Sequence, residues 1–302
     1  MIEDLSESGP IIVGVDGSER SVEALALADL LGRALGRRVV IAHVHPFRQL
    51  SSLFAEEGEY ERLERELAES AFEQIREHLP SVPERRMRLV AADSPAAGLH
   101  ALAEREGAAL IVIGSSHRSS VGRILLGGTG ERLLSGASAP VAVAPAGYPS
   151  GGHGMKMVGC GFDGSSESHR ALAWAAEFTR TASARLRVLS VYERTLPASL
   201  AVGGGLATAS INDVLRRQCQ EQLARAMSAL DTDIDASETL LDGDARELLA
   251  QVSGDLDLLV IGSHGYGPLR AVMLGSVSSA LVRSAQSPLV VVPRGADDGS
   301  AP

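Results

Sequence analysis

Short apolar runs alternate along the chain with longer stretches in which apolar residues recur every three or four positions. The run IIVGV at 11–15 is continuous and apolar, the pattern of a strand covered on both faces. Residues 21–36 follow with Val22, Leu25, Ala26, Leu30 and Leu31 at helical spacing. The pattern then predicts a strand over 39–44 and a long charge-laced helix over 57–79, with i,i+4 pairs such as Glu61/Arg65. A strand over 88–92, a helix over 95–106, a strand over 110–114, a helix over 130–136 and a short strand over 141–144 complete the series. A second set of strands is predicted near 157–162, 186–191, 237–241, 257–262 and 289–292. Strands alternating with helices imply a parallel sheet with helices on both faces. Such sheets bind ligands beyond the carboxyl ends of their strands, where the strand order reverses.

The chain repeats itself. LIVIGSSHRSSVGRILLGGTGERLLSGASAPVAVAP (110–145) aligns without a gap on LLVIGSHGYGPLRAVMLGSVSSALVRSAQSPLVVVP (258–293), with 12 of 36 positions identical. IIVGVDGSERSVEALALA (11–28) corresponds in the same way to MVGCGFDGSSESHRALAWA (157–175). The period is far too long for a solenoid, so a whole domain is duplicated. The expected domains are 1–146 and 155–296, joined by a Gly/Pro/Ser-rich linker at 147–154 and followed by a flexible tail at 297–302. The fold class is α/β: two tandem open five-stranded, mainly parallel sheets with helices on both faces, Rossmann-like. The stretch LPASLAVGGGLATAS (196–210) exceeds an ordinary connection and reads as a mobile lid or a partner surface.

Composition narrows the function. Aromatic residues are only 3% of the 302, so the core is aliphatic and base-stacking platforms are scarce. A formal charge of −10, with no Lys/Arg stripe to offset it, excludes nucleic acid as the expected partner. Cys160 and Cys219 are the only cysteines and no metal-ligand spacing occurs, so no metal site is assigned. The opening MIEDLSESGP has no apolar signal core, and no run of about 18 apolar residues suggests a membrane span. The cytoplasm is the expected compartment.

Residues 159–164, GCGFDG, spell the G-x-G-x-x-G of a dinucleotide-binding turn. The first half reads IVGVDG at the same place, with Ile12 where Gly159 stands, and residues 181–185 lack the acid that would hold a ribose. Gly159 and Gly161 are therefore expected inside a strand. What the halves share is Asp16-Gly17-Ser18 and Asp163-Gly164-Ser165. The Asp reads equally as a ligand acceptor at a strand end and as a helix N-cap.

The stronger signal is GSHGYGPLRAVMLGSVS (262–278), directly after an apolar strand. Gly262 and Gly265 would let backbone approach a sugar or phosphate, and Gly275-Ser276 opens a helix whose amides favour an anion. The Ser276 hydroxyl either caps that helix or donates to a phosphate oxygen. Gly262, Gly265, Gly275 and Ser276 match every defined position of G-x-x-G-(nine residues)-G-(Ser/Thr), and the chain thereby resembles the universal stress protein family, tandem members in particular. The Asp-Gly-Ser after each first strand and the Ala-x-x-Pro before each last strand belong to the same resemblance.

The resemblance implies an adenine nucleotide alpha hydrolase-like fold binding ATP, alone or with Mg2+, at the strand ends. Phe162 and Asp163 would meet base and ribose, and Val191 would give adenine its backbone hydrogen bonds. Gly262, Gly265, Gly275, Ser276 and Val277 would hold ribose and phosphates, with His264 inside the loop as a surface or phosphate-facing residue. The corresponding residues of the first half are Val15, Asp16, Val44, Gly114, His117, Arg118, Gly127, Gly128 and Thr129. There His117 replaces Gly265 and Gly128 replaces Ser276, so the first site is altered; Arg118 offers phosphate contacts in compensation and Glu131 a capping interaction. Members of the family often dimerise through the last strand, so the two halves are expected to pair with each other into a pseudo-twofold monomer, a homodimer remaining open. The expected activity is ATP binding for sensing or buffering in a stress response. A partner-binding scaffold without nucleotide and a slow ATP hydrolase are the alternatives, and the absence of G-x-x-x-x-G-K-[ST] and G-x-S-x-G disfavours efficient phosphoryl transfer and serine hydrolysis.

Overall fold

A computed structural model describes residues 9–46, 87–116, 120–149, 154–193, 205–263 and 274–294, with four helical positions at Arg62, Glu66, Ser70 and Glu73. In the first half, β1 (Ile11–Val15) leads into α1 (Glu19–Leu35), β2 (Val39–Pro46), β3 (Met87–Ala92) and α2 (Pro95–Glu106). β4 (Leu110–Gly114), α3 (Gly128–Leu134) and β5 (Val141–Ala144) complete it. The second half repeats the order with β6 (Met157–Gly161), α4 (Ser166–Ala182), β7 (Arg185–Tyr192), α5 (Gly205–Ser228) and β8 (Ala236–Asp242). It ends with α6 (Ala245–Val252), β9 (Leu258–Gly262), α7 (Ser276–Leu281) and β10 (Leu289–Val292). Every strand read from the sequence is present. The helix expected over 57–79 lies outside the described residues apart from its four helical positions. The 196–210 connection is corrected in part: residues 205–210 are the first turn and a half of α5.

Within each half all strand pairs are parallel, in the order β3-β2-β1-β4-β5 and β8-β7-β6-β9-β10. The halves join where β10 pairs antiparallel with β5, Leu289 opposite Val143, Val290 opposite Ala142 and Val291 opposite Val141. The expected pairing of last strands is thus found, and it fuses the two sheets into one of ten strands. These strands are apolar throughout because they are central and helices cover both faces. One face carries α1 and α4 over Ile11, Val13, Val158, Cys160, Val260 and Val290. The other carries α2, α3, α6 and α7 over Ile12, Ile111, Val143, Leu259 and Val291. Each core therefore runs unbroken through both halves.

The glycine pattern at 159–164 resolves as packing. Gly159 and Gly161 lie in β6 as expected, and a Cβ on Gly159 would sit 2.3 Å from Leu256 Cδ1. In the first half Ile12 fills that space and Ala108 stands where Leu256 does. Each half has one large and one small partner, in exchanged order.

Candidate functional site

Asp-Gly-Ser follows β1 directly and β6 after Phe162, and the turn is made by all three residues. Gly17 (φ 83°) and Gly164 (φ 80°) are left-handed, a conformation glycine adopts without steric cost. Asp16 Oδ1 accepts from Ser18 N (3.0 Å), Ser18 Oγ (2.6 Å) and Ser21 Oγ (2.8 Å). Asp163 Oδ1 accepts from Ser165 N (2.9 Å) and Ser165 Oγ (2.5 Å). The N-cap positions belong to Ser18 and Ser165, and only Ser165 caps with its side chain, accepting from Ser168 N at 3.2 Å. The carboxylate shapes the turn that precedes the helix, and the N-cap position read for the Asp belongs to the Ser two residues later.

Beyond this turn, each half opens a cleft between its first and fourth strands, where the strand order reverses. The second cleft, about 210 Å³, is lined by Phe162, Asp163, Val191, Gly262, Ser276 and Val277 of the expected set. Leu189, Leu249 and Ile261 supply an apolar wall, and Ser165, Ser168 and Ser278 a hydroxyl-bearing rim. The first cleft, about 250 Å³, is lined by Val15, Asp16, Val44, Gly114, Gly127 and Thr129 of the expected set. Gly275 is the buried N-cap of α7 and Gly128 the exposed first residue of α3; neither is among the lining residues. His117, Arg118, His264 and Gly265 lie outside the described residues.

Three expectations change. A Cβ on Gly262 would lie 2.7 Å from the Glu167 carbonyl carbon, and one on Gly114 would lie 2.5 Å from Arg20 O. Both glycines are thus required by the close seating of α4 and α1 on the strand ends, whatever the cleft admits. Ser276 occupies the first turn of α7, not its cap; its hydroxyl makes no capping bond. Glu131 does not close a capping box on α3: its Oε1 accepts from Arg283 Nη2 at 2.9 Å, an ion pair between the halves.

Two charged residues among the cleft linings were missed, Arg20 and Glu167. They fall four residues after the shared Asp, so the alignment of 11–28 with 157–175 already placed them opposite one another. Behind the first cleft, His43 Nδ1 donates to Val15 O at 3.0 Å, which fixes the neutral ring as the Nδ1–H tautomer. Burial holds its pKa below the usual histidine value, a direction His45 reinforces, while the bond to Val15 and the nearby Asp16 oppose it. At the entrance to α6, the Arg246 guanidinium holds the Asp244 carboxyl down to about 2. Among the described residues no group of three or more His, Cys, Asp or Glu side chains could hold a metal ion.

Comparison with known proteins bears on both halves. The family model described as "Universal stress protein family" matches residues 8–145 and again 155–293. A universal stress protein of Mycobacterium tuberculosis is 32% identical over 188 residues, 61% of each chain, so the match spans less than two thirds of that relative. Another from the same organism is 26% identical over 289 residues, 94% of this chain and 99% of the other. Among solved structures, a universal stress protein from Archaeoglobus fulgidus superposes with a TM-score of 0.64 at 18% identity, covering 96% of this chain and 100% of that one. At that identity the likeness establishes the fold alone.

Proposed function

The chain belongs to the universal stress protein family in both halves, and from that premise we propose that it binds adenine nucleotide, ATP in particular, in its strand-end clefts and so senses or buffers the nucleotide in a stress response. The single observation that carries the reading is the cleft of the second half. Its apolar slot (Leu189, Val191, Leu249, Ile261) lies beside a rim of Asp163, Ser165, Ser168 and Ser276. A slot of aliphatic side chains suits the faces of a purine, and hydroxyls and a carboxylate beside it suit a ribose. The position outside the carboxyl ends of the strands, at the reversal of strand order, is where sheets of this kind take nucleotides. The same construction in the first half argues for a second, modified site.

The test is to release small molecules from the purified chain by heat, identify them by chromatography, and titrate the emptied protein with ATP by calorimetry. ATP or ADP in the extract, or saturable ATP binding, is the expected result. Ser276→Trp, at an exposed position on the cleft wall, should remove the second site while leaving the far-UV dichroism unchanged. A chain that neither carries nor takes up adenine nucleotide would instead favour a scaffold that binds protein partners.

A further inference from the structure

The first cleft is not built by the first half alone. Before the chain turns into α3 it crosses to the second half: Ile124 N donates to Ala285 O at 2.9 Å and Leu126 N to Val282 O at 3.0 Å. The residue between them bonds back to its own half, Leu125 O accepting from Ser116 N at 2.7 Å. Ser116, Gly127, Thr129 and Gly130 all line the first cleft. The opening of α3 is therefore held between that cleft and the second half. Its seating is close: Leu126 is buried, and a Cβ on Gly130 would lie 2.6 Å from Leu126 Cδ2. Glu131, in the first turn of α3, accepts from Arg283 Nη2 at 2.9 Å.

These contacts converge on the end of one short element. Val282 is the C-cap of α7, and Arg283 follows it. The opposite end of α7 belongs to the second cleft, which Ser276, Val277 and Ser278 line. Ser278 Oγ donates there to the carbonyl of Gly262, another lining residue, at 2.9 Å. Six residues of helix span about 9 Å. α7 thus stands with one end in the second cleft and the other against the opening of the first. The positions equivalent to Glu131 and Arg283 are Ser279 and Ser135, so this ion pair has no counterpart across the junction.

We propose that the two clefts are coupled through α7, so that a ligand against Ser276–Ser278 raises the affinity of the first cleft, and the reverse by linkage. This rests on the nucleotide reading above and adds a regulation of the same sites. A ligand in the second cleft restrains α7, and the bonds at Val282, Arg283 and Ala285 pass the restraint to backbone that leads into the first. Conformational freedom in the shared segment is lost once, so the second ligand to bind meets a smaller entropic cost. Arg283 is a positioning residue that acts on the first cleft through Glu131. An exposed ion pair contributes little by itself, so reversing one charge tests it better than removing one.

Thr129→Trp, at an exposed position of the first lining, should leave only the second cleft open. ATP should then slow amide exchange at Ile124 and Leu126, whose acceptors lie across the junction. By calorimetry, the product of the two ATP association constants of the full wild-type chain should exceed that of Thr129→Trp and Ser276→Trp, each measured singly, about fivefold or more. Arg283→Glu, which sets two carboxylates against each other, should bring that ratio toward one. Glu131→Arg combined with Arg283→Glu should restore it, which ties the effect to the contact and not to either residue. A ratio of one in the wild type, uptake of a single ATP, or unaltered exchange in Thr129→Trp would overturn the inference while leaving nucleotide binding intact. If the wild type binds no ATP, the nucleotide reading itself fails, and this one with it.

Discussion

Gly159 and Leu256 share a volume that Ile12 and Ala108 share in the first half, and the exchange can be tested as a coupling. Gly159→Ile alone should overfill the core below β6 and cost about 1–3 kcal/mol. Added to Leu256→Ala, it should cost markedly less, with an interaction energy of about 0.5–3 kcal/mol in a denaturation double-mutant cycle. Strict additivity would refute the shared volume. The same pair shows why the G-x-G-x-x-G letters mislead. The first glycine answers to a leucine nearly a hundred residues away, and local spacing carries no trace of that neighbour. Gly262 is a similar case. Its place in a nucleotide motif was legible, but its contact with the Glu167 backbone follows from the angle at which α4 meets β9.

Between elements, His43 links β2 to the end of β1 through its bond to Val15 O. Its folded pKa lies below its unfolded value of about 6.5, so the folded state binds fewer protons than the unfolded chain in mildly acidic solution. The contribution of this group is whole above the unfolded value and is lost as the pH falls below it toward the folded one. His43→Asn can keep a donor near Val15 O while removing the titration, so its stability should fall less steeply than the wild type's between pH 7 and pH 5 in urea melts. Identical slopes would exclude His43 as the source. The strands and most helices were readable because buried parallel strands are uniformly apolar and their helices periodic. The start of α5 was not, because VGGGLATAS is poor in the apolar spacing that marks a helix and rich in residues that mark loops.

At the scale of the molecule, the antiparallel pairing of β5 with β10 turns two potential edges into the centre of one sheet. Exposed apolar edges invite association, and here each half covers the other's. The strands left at the outer edges are β3 and β8, which carry Arg88 and Glu238. The Glu131–Arg283 pair and the backbone bonds from Ile124 N to Ala285 O and Leu126 N to Val282 O fasten the halves further. The chain should therefore unfold as one unit. Trp174, the sole tryptophan, reports on the second half and far-UV dichroism on both; their denaturant curves should coincide. Val290→Asp, which places a carboxylate in the fully buried central strand, should lower the midpoint seen by both probes. Separate transitions in the wild type would show halves that fold independently.

The sequence by itself determined the duplication, the class of fold, the strands and the turns that follow the first strand of each half, since these depend on apolar periodicity and on residues such as Asp16-Gly17-Ser18 acting on their immediate neighbours. The tertiary structure alone decided that ten strands form one sheet, that Gly114 and Gly262 are seats for helices, and that Arg20 and Glu167 fall among the cleft linings. Those outcomes depend on distances between segments far apart in the chain, which no local pattern encodes.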